Sequence, residues 1–227
     1  MQIGIGLLGR KVGMTQVFDQ EGRAVPVTVV EAGPCTVVQK KALEKDGYEA
    51  VQLGYLPEKP KRVPKPLSGH FGKAKVSPMR YLQEMRLHSA AKYQVGQTLT
   101  VGLFADGEEV VVTGTSKGRG FQGGVKRWGY RGGAKSHGSM FHRAPGSIGA
   151  SSFPSRVFKG HRMPGRMGGE RVTIRGLHVV RRDPDRNLLL ICGALPGPQG
   201  GFLTVRKTGR AASEPTTPPE KTAGSEA

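Results

Sequence analysis

The feature that most constrains this chain is a 58-residue stretch, Gly114 to Arg171, that has no means of burying itself. It holds twelve Lys/Arg residues against the single acid Glu170, with fifteen glycines, three of the six histidines and the only tryptophan, Trp128. Aliphatic residues are scarce in it. Ordering so much glycine costs backbone entropy that little apolar burial offsets, and the like charges repel. Any hydrophobic core must therefore come from the flanks, and the stretch must be an insertion between them. A structureless loop of this length in a compact domain is uncommon unless it is functional or ordered by a partner.

The charge indicates what such an insertion meets. The 227 residues carry 35 Lys+Arg and 17 Asp+Glu, a formal charge of +18 with a pI near 10.4. The stretch alone contributes +11 of this. A field of that sign favours a polyanion, either nucleic acid or an anionic membrane surface. The membrane fails on pattern, because the charge lies on a glycine-rich loop without an amphipathic helix to lie in the interface. No apolar run approaches the roughly 20 residues of a spanning helix. The opening MQIGIGLLGRK lacks the n- and h-regions of a signal peptide, so a cytoplasmic location is expected. Two cysteines, Cys35 and Cys192, are too few for a disulfide framework or a four-thiolate zinc site and read as reduced thiols.

The flanks read as strands punctuated by turns. Gly13–Phe18, Val25–Glu31, Thr36–Lys40 and Ala50–Leu56 are short, β-branched or alternating, and bounded by Gly, Pro and Asp. Thr98–Phe104, Glu109–Gly114, Arg171–Arg182, Asn187–Cys192 and Phe202–Arg206 continue the series. Pro57–Pro66 reads as a basic linker. One helix is predicted at Pro78–Leu87, with Ser77 as cap, Pro78 in the first turn and Met79, Leu82 and Met85 on one face. The fold class is mainly β, a barrel with helical decoration and a long glycine-rich basic extension. Lys207–Ala227, rich in Pro, Thr, Ala and Ser with balanced charge, reads as a disordered tail.

Gly4-Ile-Gly-Leu-Leu-Gly9 spells a dinucleotide fingerprint, but only three residues precede it and Arg10-Lys11-Val12-Gly13 is no helix start, so no cofactor is expected. His137 and His142 lie five apart with no cysteine or acid nearby, so no metal is expected. Ser136, His137 and Ser139 lack an acid to orient the imidazole; no catalytic residue and no small-molecule substrate are assigned. The strongest signal is Gly114-Thr-Ser-Lys-Gly-Arg-Gly-Phe-Gln-Gly-Gly-Val-Lys-Arg-Trp-Gly-Tyr-Arg-Gly-Gly. Bases neutralise phosphates, aromatics offer faces to unstacked nucleobases, and glycines let the backbone approach a phosphate chain. Phe121–Trp128 can form a short helix, with Trp128 either its packing anchor or a stacking platform. A structural RNA-binding protein is the reading; an RNA- or nucleotide-acting enzyme on a barrel is the alternative.

At these residues the chain resembles the bacterial form of the large-subunit ribosomal protein L-three family. The matching blocks are Gly9-Arg-Lys-Val-Gly-Met-Thr-Gln-Val-Phe18, Pro26-Val-Thr-Val-Val-Glu31, Gly69-His-Phe71, Thr113-Gly-Thr-Ser-Lys-Gly-Arg-Gly-Phe121 and Lys126-Arg-Trp128. They continue with His142-Arg-Ala-Pro-Gly-Ser-Ile-Gly149, Val157-Phe-Lys-Gly160, Met163, and Met167-Gly-Gly-Glu-Arg-Val-Thr173. The resemblance implies a six-stranded barrel like that of translation factors, spanning residues 1–206 and interrupted by the 114–171 segment. It also implies a loop at about 129–166 threading through large-subunit rRNA towards the peptidyl transferase centre, an early role in subunit assembly, and neighbouring large-subunit proteins as further partners. On this basis the RNA-binding residues are Arg10, Lys11, Lys117, Arg119, Lys126, Arg127, Trp128, Arg131, Lys135, His137, His142, Arg143, Arg156, Lys159, His161, Arg162 and Arg166. The loop tip near the catalytic centre is Pro145, Gly146, Ser147, Ile148, Gly149 and Ala150. Some members carry a methylated glutamine where this chain has Ala150, so that modification does not transfer.

Overall fold

The computed structural model describes residues 4–208. In chain order its strands are β1 (Gly6–Phe18), β2 (Ala24–Ala32), β3 (Cys35–Lys41), β4 (Ala50–Pro57), β5 (Met79–Arg86) and β6 (Thr98–Leu99). They continue with β7 (Glu109–Thr115), β8 (Phe121–Gln122), β9 (Gly165–Arg166), β10 (Arg171–Asp183), β11 (Leu188–Cys192) and β12 (Phe202–Lys207). The helices are short: α1 (Leu43–Asp46), α2 (Lys65–Ala74) and α3 (Gly124–Trp128).

Six strands close a barrel in the order β1, β12, β7, β10, β11, β2, so the mainly-β reading holds. Period-two alternation explains which side chains fill it: Leu189 and Ile191 from β11, Leu203 and Val205 from β12, and Val110 and Val112 from β7 are fully buried. The glycines that spell a dinucleotide motif serve this closure. A Cβ on Gly6 would fall 1.9 Å from the Val205 carbonyl oxygen, and one on Gly9 2.6 Å from that of Glu31, so both admit a neighbouring backbone.

Four further strands form a separate sheet, β5-β4-β3-β6, whose Val37, Val51, Leu53, Tyr55 and Met85 join the same hydrophobic cluster, and β8 and β9 pair with each other. This division was not expected, and it overturns the predicted helix at Pro78–Leu87. That segment is β5, paired with β4 from Ala50↔Arg86 to Pro57↔Met79. Its apolar residues fit both periods, and long-range pairing decides. Met85 is buried in the sheet, and Tyr81 stacks on Phe202 with centroids 4.6 Å apart. The helix lies earlier, as α2, overlapping the stretch read as a linker. Pro66 sits in the first turn, where a missing N–H is harmless, and Phe71 is buried. Thr98–Phe104 is likewise only partly strand, since Val101–Leu103 forms a 3₁₀ turn.

At the C-terminal end the barrel runs past Arg206. Lys207 belongs to β12 and pairs with Glu108 at 2.9 Å, and the Thr208 hydroxyl donates to the Glu109 carbonyl at 3.0 Å. The reading of the rest of the tail falls on 209–227, outside the described residues. Cys35 and Cys192 are free thiols; burial pushes the Cys35 thiol up to about 12, which makes it a small apolar core group. The described residues divide into two compact units, one of 4–114 with 173–208 and the other Thr115–Val172.

Candidate nucleic-acid interface

The Thr115–Val172 unit begins as a two-stranded stem held mainly by backbone hydrogen bonds, with the Glu170 N–H also donating to the Ser116 hydroxyl oxygen at 3.3 Å. Ser116 N–H donates to the Glu170 carbonyl (2.9 Å), Arg119 N–H to that of Met167 (2.9 Å), and Met167 N–H to that of Gly120 (2.9 Å). β8 and β9 extend it, with Phe121 opposite Arg166 and Gln122 opposite Gly165. The stem side chains Lys117, Arg119 and Arg166 are therefore free of structural duty and exposed.

Beyond the stem, α3 ends at Gly129, whose φ of +72° supplies the left-handed cap. The helix and the turn that follows it position three side chains on one short stretch of the returning chain. Arg127 Nη1 and Trp128 Nε1 both donate to the Met163 carbonyl, at 2.7 and 2.8 Å, and the Tyr130 hydroxyl donates to that of Arg162. The guanidinium carbons of Arg127 and Arg162 lie 5.0 and 5.6 Å from the Trp128 ring centroid, a cation–π arrangement. Trp128 is thus an anchor through its indole N–H, while the residue remains 41 % exposed.

The long loop follows. Gly133 N–H donates to the His142 carbonyl (3.1 Å), and His142 Nδ1 donates to the carbonyl of Ala134 (3.0 Å). Gly133 is required there, because a Cβ would fall 1.9 Å from the Phe141 carbonyl oxygen. Tyr130, Arg131, Phe141, Ala144, Pro145, Ser147 and His161 line a cavity of about 360 Å³, which brings two expected basic positions beside the tip. The tip residues Pro145, Gly146, Ser147, Ile148, Gly149 and Ala150 are all exposed; Gly146 has φ +79°, and the Ser147 hydroxyl donates to the Gly149 carbonyl (3.0 Å). Lys126, Arg131, Lys135, His137, Arg143, Arg156, Lys159 and Arg162 are exposed as well.

Within Thr115–Val172 Gly124 is the one buried residue. Among the described residues no salt bridge engages any of its bases. Apolar side chains stand open beside them: Met140 is 99 % exposed, Phe153 87 %, Phe121 76 % and Phe158 61 %. The sequence reading did not single out Phe153 and Phe158, although aromatics in a segment without a core were the available signal. The Arg156 guanidinium lies 5.5 Å from the Phe158 ring centroid.

On the barrel the two expected bases differ. Arg10 is half exposed and paired with Glu31 at 2.9 Å; that hydrogen-bonded carboxylate holds the guanidinium pKa above its usual value. Lys11 is 7 % exposed and its ammonium donates to the Leu195 carbonyl at 2.9 Å, which ties β1 to the chain before β12. Among the described residues no group of three His, Cys, Asp or Glu is placed to hold a metal, and no helix is long and apolar enough to cross a membrane.

The class this geometry defines is a barrel protein with a basic segment whose charge is unneutralised among the described residues and whose aromatic faces stand open. A family model described as Ribosomal protein L3 matches residues 84–187. The large ribosomal subunit protein uL3 of Pelotomaculum thermopropionicum is 56 % identical over 206 residues, covering 91 % of this chain and 98 % of the relative. Those of Carboxydothermus hydrogenoformans (56 % over 202 residues) and Heliobacterium modesticaldum (57 % over 203) each cover 89 % of this chain and 96 % of their own. The chain belongs to the uL3 family of large ribosomal subunit proteins, structural constituents of the ribosome in the cytoplasm rather than enzymes.

Proposed function

We propose that the chain binds large-subunit rRNA chiefly through the Thr115–Val172 unit, supports early assembly of the subunit, and extends the 129–166 loop towards the peptidyl transferase centre. One observation carries this reading: twelve bases, none in an ion pair among the described residues, are interleaved with exposed aromatics on a framework held by backbone and carbonyl hydrogen bonds. Bases left unpaired release counterions on meeting phosphates, and open rings accept unstacked nucleobases. Arg10, on the barrel, adds a weaker contact because Glu31 already neutralises it. Neighbouring ribosomal proteins are the other partners.

The tip separates function from affinity. Between Ala144 and Ser155 there is no charged residue, whereas Arg143 and Arg156 flank it. The flanks anchor the loop and leave Pro145–Gly149 as an uncharged, conformationally defined point. Gly146→Asp adds a carboxylate and forces a β-carbon into φ +79°. Variant protein is expected to co-sediment with large subunits through a high-salt wash while those subunits show altered peptide-bond formation or altered sensitivity to drugs acting at that centre. Arg156→Ala and Lys159→Ala are expected to do the reverse, weakening incorporation with little effect on assembled subunits. Wild-type translation and drug response from Gly146→Asp subunits would remove the tip from the catalytic centre.

A further inference from the structure

A second concentration of charge lies outside the basic extension. Pro57–Lys75 carries six Lys/Arg against one acid, Glu58, a net +5. With +11 in Gly114–Arg171 and +18 overall, all the rest of the chain sums to only +2. Lys59, Lys61, Arg62, Lys65, Lys73 and Lys75 are all exposed. Among the described residues Arg62 alone of these is in an ion pair, with Glu58 at 3.7 Å.

The helix α2 organises this charge. One face is fixed inward: Phe71 is 1 % exposed, and His70 Nε2 is 2.7 Å from Gln52 Oε1 on β4. The opposite face presents Lys65, Gly69, Gly72 and Lys73, positions i, i+4, i+7 and i+8. Glycine is a poor residue for a helix interior and is kept where a backbone must approach closely. Among the described residues nothing approaches: a Cβ at Gly69 or at Gly72 would have no heavy atom within 4 Å. The helix also ends on Lys75 at φ +54°, a conformation glycine adopts without strain, so a lysine side chain is retained there at a conformational cost. The two glycines and the strained lysine are unexplained by the chain's own packing.

We propose that the outward face of α2, with the lysines that precede it, is a second RNA-binding surface, docking on the sugar–phosphate backbone of a duplex without reading its sequence. This rests on the rRNA-binding reading above and extends it to residues outside the basic extension. The aromatic content decides the mode. Phe71, the sole Phe, Tyr or Trp in Pro57–Lys75, is buried, so no ring is offered to a base, in contrast to the open Phe121, Phe153 and Phe158. Lysines on a flexible stem neutralise phosphates as point charges, and the glycine pair leaves room for the backbone that carries them.

The test uses the full chain and two probes, transcribed large-subunit rRNA and an unrelated RNA duplex of mixed sequence, with affinity measured against salt. Replacing Lys65, Lys73 and Lys75 together by glutamine is expected to reduce the slope of log affinity against log salt by about 2, on both probes, with the melting temperature unchanged. Gly69→Ala with Gly72→Ala is expected to move stability and binding in opposite directions, raising the melting temperature while lowering affinity several-fold. A control replaces Arg131, Lys135 and Arg143 by glutamine. If the control loses slope and the α2 lysine variant does not, this surface meets something other than RNA and the inference fails while the rRNA-binding reading stands. If neither loses slope, both fail. Unchanged or improved affinity in the glycine pair also overturns the proposal.

Discussion

The barrel and the basic extension use the same residue types to opposite ends. On the barrel and its attached sheet several bases are neutralised: Arg10 by Glu31, Arg23 by Asp19, Lys41 by Asp46 and Lys207 by Glu108, at 2.8–2.9 Å. In Thr115–Val172 the arginines that have partners find backbone carbonyls or rings, as Arg127 does with Met163 and Trp128, and so keep their charge uncompensated. Apolar groups divide in the same way, with Leu8, Leu189, Ile191 and Leu203 at 0 % exposure in one region and Met140 and Phe153 open in the other. One region meets many of its partners inside the chain; the other leaves its charge and its rings uncompensated. Surface ion pairs add little stability, so the barrel's pairs matter mainly because they withdraw charge from competition for a ligand.

The contrast can be broken where it is strongest. Leu189→Ala should destabilise the protein by about 2–5 kcal/mol in denaturant unfolding, because it opens a cavity in the closed barrel. Next in size is Lys11→Met, which keeps the stem but removes a buried donor from the Leu195 carbonyl; a loss of about 1–3 kcal/mol is expected, with the salt dependence of RNA binding unchanged. A loss of salt dependence in that variant would place Lys11 on the RNA surface. Smallest is Phe153→Ala, expected to change unfolding free energy by less than about 0.5 kcal/mol while weakening RNA binding. A destabilisation approaching that of Leu189→Ala would mean the extension carries a core of its own.

What could be read before the structure follows from the range of the interactions involved. The barrel strands announce themselves locally, by short apolar runs such as Val110–Val112 or Leu188–Cys192 and by turns such as Asp183-Pro184-Asp185. The split between barrel and sheet does not, because nothing near Met79 says that Ala50–Pro57 lies beside it; Met79, Leu82 and Met85 suit a helix until Tyr81 finds Phe202. The helix α2 was available, since Leu67, His70, Phe71 and Ala74 recur at its period behind Pro64 and Pro66, but its prolines and lysines read as a linker. At the interface, charge and glycine content mark the segment. The role of Trp128 does not follow from them, because its partner carbonyl on Met163 lies 35 residues away. The same holds for Lys11, whose hydrogen bond to Leu195 spans 184 residues and has no local signal.

The most direct test removes the extended loop and asks what remains of the electrostatic footprint. A chain with 129–166 replaced by a short Gly-Ser linker lacks seven bases, Arg131, Lys135, Arg143, Arg156, Lys159, Arg162 and Arg166. Each phosphate contact contributes about 0.7–0.9 to the slope of log affinity against log salt, so the slope for large-subunit rRNA should fall by several units while barrel unfolding is unchanged. An unchanged slope with an intact barrel would place the RNA-binding surface on the barrel and contradict the division of labour between the two regions.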